Sequence, residues 1–300
     1  MTVSTDILAN EITRASSKQT YYTARFWVDN DLVDDFFRAY AYCRWVDDII
    51  DISSTSDRER KTFMDRQQEI ISRCYRNEPV EALLPEEQMV VDLIHNDRFE
   101  NSGLQSFIRN VLTIIEFDAK RKGRLISQEE LIWYTDCLGR GVIDGLQYFI
   151  GNGHPYPESS NQYLAAIAAH IIHLLRDTVQ DTADGFINVP REYLELHKLN
   201  PADITHPLYI AWVEDRIKLA RDYFVRGKQY INSLKVLRCR IVGLWYCSRF
   251  ENVLNQIERN RFILRENFDA NKVRSLTKLG WLAIMTPLLH LFSTDSGRIE

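Results

Sequence analysis

Glycine and proline are scarce in this 300-residue chain, at 12 and 8 residues. That leaves too little material for the many tight turns of an all-β protein. Basic charge is not in surplus either: 37 Lys and Arg face 42 Asp and Glu, a formal net charge of −5. No positive field draws in nucleic acid, and no such partner is expected. The five cysteines, Cys43, Cys74, Cys137, Cys239 and Cys247, are widely spaced, odd in number and never paired as C-x-x-C. They read as reduced core thiols of a cytoplasmic protein rather than a disulfide or zinc framework. No apolar run reaches the roughly 20 residues of a membrane span. The longest, Leu279 to Phe292, carries Pro287 and His290; it is expected to be a buried terminal helix that could at most touch a bilayer surface. The opening MTVSTDILANEITRASSKQ has no apolar core, so no signal peptide is expected.

What is present is a 45% hydrophobic content, enough for a sizeable core. Apolar residues recur at spacings of three and four, as in Phe36-Phe37, Tyr40, Cys43 and Val46, or Phe107, Val111 and Ile114-Ile115. Breaks fall where turn residues cluster, at 52–56, 101–103, 151–160, 185–190 and 200–207. No period-two alternation competes. The expectation is one all-α domain over residues 1–300, many helices with short connections.

Two acidic constellations stand out. In Cys43-Arg44-Trp45-Val46-Asp47-Asp48-Ile49-Ile50-Asp51, Asp47 and Asp51 lie one helical turn apart with Asp48 on the neighbouring row. Tyr40 and Cys43 make the same face apolar upstream. In the second, His173, Asp177, Asp181 and Asp184 step by four, four and three along one stripe. His170 extends that stripe upstream, a small apolar run (164–169) precedes it, and Gly185 is placed to end the helix. Mg²⁺ takes hard oxygen ligands, usually one or two carboxylates plus substrate phosphate oxygens. Two such helices facing each other can hold a Mg²⁺ cluster of two or three ions gripping a diphosphate, with Arg44 and Arg176 adding guanidinium donors. Either stripe alone reads equally well as a solvated acidic face with an ordinary ion pair. Two of matching spacing, each with an arginine and an apolar approach, favour the diphosphate site. A zinc reading of His170, His173 and Asp177 is outweighed by the excess of carboxylates.

At these residues the chain resembles the squalene/phytoene synthase family. Residues 39–51 are similar to its "alYaFCRxxDdxxD" helix, and Leu175 to Asp181 to its "LRDxxxD". Gly185, Pro190 and Leu194 follow where the family has "GRxYLPxxxL"; Glu129-Glu130-Leu131 and Tyr134 fit "eeLxxYc", and Leu254 and Ile257 fit a late "YxxiLxxI" helix. The resemblance implies an isoprenoid-synthase helical bundle around a central cavity, with an isoprenyl diphosphate as substrate. Asp47, Asp51, Asp177 and Asp181 would carry Mg²⁺, supported by Asp48 and Asp184. Arg44 and Arg176 would assist the diphosphate, and Tyr40 would line the cavity. Loss of pyrophosphate leaves an allylic cation that a second isoprenoid attacks.

Departures from the family pattern cluster near the site: His173 for Asn, Phe186 for the Arg of "GR", Phe250 for the late Tyr, and Lys18-Gln19-Thr20-Tyr21 for an "SKSF"-like segment. Arg140 and Asp144, at i and i+4 in a helix that is small and apolar in the family, are expected to pair. The favoured function is head-to-head condensation of two prenyl diphosphates to a squalene- or phytoene-like product. The alternative is a diverged member that cyclises one prenyl diphosphate or passes it to a non-isoprenoid, for example aromatic, acceptor, with His173 or His170 taking a proton. A non-catalytic scaffold is disfavoured by the intact aspartates. No obligate protein partner is expected; an apolar product leaves room for peripheral membrane contact.

Overall fold

The computed structural model describes residues 4–51, 56–97, 99–266 and 268, and of Gln19, Asp51 and Asp57 the backbone alone. Its regular structure is helical throughout, with no strand among the described residues. In order come α1 (Thr5–Ser16), α2 (Lys18–Trp27), a 3-10 turn (Asn30–Leu32), α3 (Val33–Asp51), α4 (Asp57–Tyr75) and α5 (Pro85–Asn96). Then follow α6 (Gly103–Arg121), α7 (Gln128–Ile150), α8 (Leu164–Ala183), α9 (Arg191–His197), α10 (Pro207–Ser233) and α11 (Leu237–Arg259). All belong to the first of two units, Met1–Glu266. The apolar stretch at Leu279–Phe292 lies outside the described residues, and among those described no helix is long and apolar enough to cross a membrane.

Local chemistry sets the helix ends. Ser127 caps α7 by accepting from the Glu130 amide at 3.1 Å, while the Glu130 carboxylate accepts from the Ser127 amide at 2.7 Å. This reciprocal box satisfies two donors that a helix start leaves without partners. α10 begins at Pro207, where a missing N–H costs nothing. α8 ends as its sequence predicts: Gly185 adopts φ +91°, a conformation side chains resist, just past the Asp184 C-cap.

Packing sorts the helices into two groups. α3 lies chiefly against α1, α5 and α6, whereas α8 lies against α7, α10 and α11; the α6–α7 pair joins the groups. The small residues of α8 explain its central place. Ala165, Ala166, Ala168 and Ala169 are 0–2% exposed, so neighbours close in from every side. At Gly227 of α10 the approach to the Ala165 backbone leaves no room for a Cβ, and Gly139 of α7 packs as closely on Ile167. On the other side, Tyr42 of α3 donates to Gln67 at 3.0 Å, and Gln67 donates to the buried Glu87 at 3.0 Å, tying α3 to α4 and α5. Each aspartate stripe thus stands at the C-terminal end of a helix whose upstream length is anchored in core. The cysteines are all free thiols, four of them buried.

Candidate active site

The C-terminal turns of α3 carry Asp47, Asp48 and Asp51; nothing is described of the Asp51 side chain. The Arg44 guanidinium reaches Asp47 at 3.3 Å and also bonds Asp48. Tyr40, half-buried, lies one turn before Arg44 on the same helix. Between them Cys43 has its thiol pushed up to about 12 by burial and by the charge of Asp47, so it is no nucleophile.

On α8 the arrangement is tighter. Arg176 grips Asp177 with two donors, Nε at 2.7 Å and Nη2 at 2.6 Å, and His173 Nε2 stands 2.9 Å from Asp177 Oδ2. Burial alone would raise the Asp177 carboxyl, but these hydrogen bonds hold it well below the usual carboxylate range. One turn on, Asp181 behaves oppositely. Burial, aided by the charge of Asp177 and only partly offset by a hydrogen bond from Asn188, raises it to about 6. Asp184 is exposed at the helix C-cap and accepts from Gln180 at 2.8 Å. His170, two turns before Asp177, is buried, and its Nε2 has no hydrogen-bond partner. Burial, helped by His173, drives its pKa down to about 3, so the ring is neutral at pH 7. The His170, His173 and Phe250 rings follow one another from α8 to α11, with centroids 6.2 and 6.3 Å apart.

Three residues that the sequence did not single out complete the α8 side. After Gly185 the chain runs back along the α6–α7 connection, fixed by Gly123 N to Gly185 O at 2.7 Å and Arg191 N to Ile126 O at 2.8 Å. This places Asn188 between Asp181 and Arg121. Its Nδ2 donates to Asp181 Oδ2 at 2.7 Å, and its Oδ1 accepts from Arg121 Nη1 at 2.9 Å. Arg121 Nε donates to Asp118, which also accepts from the Tyr134 hydroxyl at 2.8 Å. Phe186 is the lid of this arrangement, its ring 5.3 Å from the Arg121 guanidinium. A polar pair at the end of an apolar helix, Asp118 and Arg121, was the one available signal; nothing local marks Asn188.

The expected Arg140–Asp144 pair is replaced. Arg140 bonds Asp136 at 2.7 Å and lies over Tyr163, while Asp144 accepts from Ser106 at 2.5 Å and from Tyr163 at 3.1 Å. The acid one turn back captures Arg140 because Asp144 is already engaged by groups from two other segments.

Among the described residues, no three Asp, Glu, His or Cys side chains converge on a point that would hold a metal unaided. Mg²⁺ is usually bound by one or two carboxylates together with substrate phosphate oxygens. The donors are hard oxygens, Asp177 is kept ionised, and the raised Asp181 carboxyl is one that a cation would stabilise.

The family model described as squalene/phytoene synthase matches residues 13–277. The chain belongs to the squalene/phytoene synthase family, whose members are prenyltransferases. Its all-α fold is shared with solved relatives. Squalene synthase HpnC from Alicyclobacillus acidocaldarius superposes with a TM-score of 0.67 at 19% identity, over 87% of this chain and 95% of that one. A dehydrosqualene synthase in complex with ligand gives 0.68 at 16% identity, over 95% and 96%. A curated relative, the bifunctional lycopene cyclase/phytoene synthase of Podospora anserina (strain S), is 22% identical over 227 residues, 67% of this chain. The chain spans 38% of that relative's length. Within the squalene/phytoene synthase frame, the departures at His173, Phe186 and Phe250 all line the α8 side: His173 touches Asp177 and Phe250, and Phe186 covers Arg121.

Proposed function

We propose that this chain is a Mg²⁺-dependent synthase that ionises an allylic isoprenyl diphosphate and condenses two prenyl diphosphates head to head, releasing pyrophosphate. Residues 1–300 act as one synthase domain in this reading, in keeping with a family match that runs from 13 to 277. The observation that carries it is Asp177, clamped in its ionised form by Arg176 and His173 one turn from the half-buried Asp181. Asp47, Asp48, Asp51, Asp177, Asp181 and Asp184 would hold the metal. Bound there, Mg²⁺ supplies neutralisation of the departing pyrophosphate. The chain's own groups do the rest. Arg44 and Arg176 offer guanidinium donors to phosphate oxygens. In this reading the neighbouring aromatic faces of His173 and Phe250 would shield an allylic cation.

Incubation with farnesyl or geranylgeranyl diphosphate and Mg²⁺ should release pyrophosphate and give a doubled hydrocarbon by mass spectrometry. Pyrophosphate release without any coupled product, at every chain length tried, sinks the condensation. A second reading has its own observation, the neutral His170 ring whose buried Nε2 has no hydrogen-bond partner. As a proton acceptor beside the cation, it would suit cyclisation or transfer to a non-isoprenoid acceptor. The same product analysis, repeated with cell extract as acceptor source, separates the two.

A further inference from the structure

Arg121 is only 3% exposed and Asn188 only 2%, yet both are polar and one is permanently charged. Burying a guanidinium is expensive, and an apolar side chain of similar size in such a position is often as stable or more so. Three rings surround this one: Tyr134 at 4.8 Å, Phe186 at 5.3 Å and Phe117 at 5.8 Å from the guanidinium carbon. A pocket so aromatic would accept a methionine or leucine. The cation there makes two directional contacts that an apolar residue could not. One, through Asn188, ends on Asp181; the other, through Asp118, ends on the Tyr134 hydroxyl.

We infer that Arg121 is a positioning residue for the diphosphate site. It holds the Asn188 amide in the one orientation that donates to Asp181 Oδ2, which fixes the plane of that carboxylate and presents Oδ1 to a cation. An amide can be turned over at little cost; with its oxygen held by Arg121 Nη1 at 2.9 Å, its nitrogen must face Asp181. The same guanidinium fixes Asp118 and, through it, the phenol of Tyr134, so α6, α7 and α8 share one polar frame. The inference rests on Asp181 being a metal carboxylate of the proposed site.

The test uses Mg²⁺ with inorganic pyrophosphate as the probe, and calorimetric affinity as the readout. Groups that orient a ligand typically cost about 10- to 100-fold in metal affinity when removed. Asn188→Ala and Arg121→Met should each weaken Mg²⁺–pyrophosphate binding by that order, because Arg121 reaches Asp181 by hydrogen bonds only through Asn188, its direct charge interaction being the smallest of the influences on that carboxyl. Because the two act in series, the double variant should bind about as weakly as either single one. Arg121→Lys, which keeps the charge but not the planar pair of donors, should fail to restore affinity. A well-folded Arg121→Met or Arg121→Lys that binds the probe like the unaltered chain overturns the inference. So does a double variant whose loss is the product of the single losses. If the unaltered chain itself does not bind the probe, the diphosphate reading falls first, and the role of Arg121 with it.

Discussion

Asp177 and Asp181 stand one turn apart on α8 and hold their protons with very different strengths. The first has hydrogen bonds from Arg176 and His173; the second has burial and a hydrogen bond from a neutral amide, with the His173 and Arg121 charges acting only as smaller influences. Removing either carboxylate should therefore cost catalysis for different reasons. Asp177→Asn strands the Arg176 grip as well as a metal oxygen, and Asp181→Asn removes the oxygen that Asn188 orients. Both should lower pyrophosphate release by about 100-fold or more, whereas Asp184→Ala, exposed at the helix end, should cost far less. Equal losses at all three would show that only total acidity matters. His170 gives a pH prediction. Its folded pKa of about 3 lies below the ordinary histidine value of 6.5, so the unfolded chain binds the proton first. Its neutral burial is compatible with full stability above pH 6.5, and stability drains away as pH falls from there toward 3. Urea midpoints of the unaltered chain and of His170→Gln should converge as pH falls through this window; parallel curves would deny it. The aspartates were legible because side chains one turn apart share a helical face. Asn188 was not, since a loop residue gains its role only when Arg121, 67 positions away, folds against it.

At the scale of the element, α8 was readable almost to its ends. The apolar run from Leu164 and the stop at Gly185 bracket the observed Leu164–Ala183. What the pattern could not supply was the partner of each face. The Arg140–Asp144 spacing fits a pair, but tertiary donors from Ser106 and Tyr163 reach Asp144 and turn Arg140 to Asp136. The alanine run predicted burial without naming Gly227 as the residue pressed against it. Gly227→Val should force α10 off α8 and destabilise the fold by about 1–3 kcal/mol or more. Ser127→Ala, which removes only the α7 cap, should cost about 1 kcal/mol. Urea unfolding of the two variants side by side checks the ranking; a cheaper Gly227→Val would mean that α8 and α10 can separate without loss.

At the scale of the whole molecule, the two stripes belong to different helix groups, one on α3 and one on α8, joined through the α6–α7 pair. Each already has a local counter-charge, Arg44 for Asp47 and Asp48 and Arg176 for Asp177. Neither stripe is therefore a strong trap for a cation on its own, and a diphosphate alone would meet like charge from the carboxylates. In the proposed site only metal and diphosphate together would satisfy both ends, the metal by carboxylates and phosphate, the phosphate also by arginine. Binding should then stabilise the native chain cooperatively. With the pair present at about 100 times its dissociation constant, the gain is about 2.7 kcal/mol, a rise in melting temperature of several degrees. Mg²⁺ alone or pyrophosphate alone should give much less. Asp47→Asn and Asp177→Asn should each remove most of the rise, because a bridge fails from either side. A rise lost in only one of them would assign the ligand to a single helix and leave the other stripe a solvated acidic face. Unchanged melting with both ligands in the unaltered chain would remove the diphosphate from this site altogether.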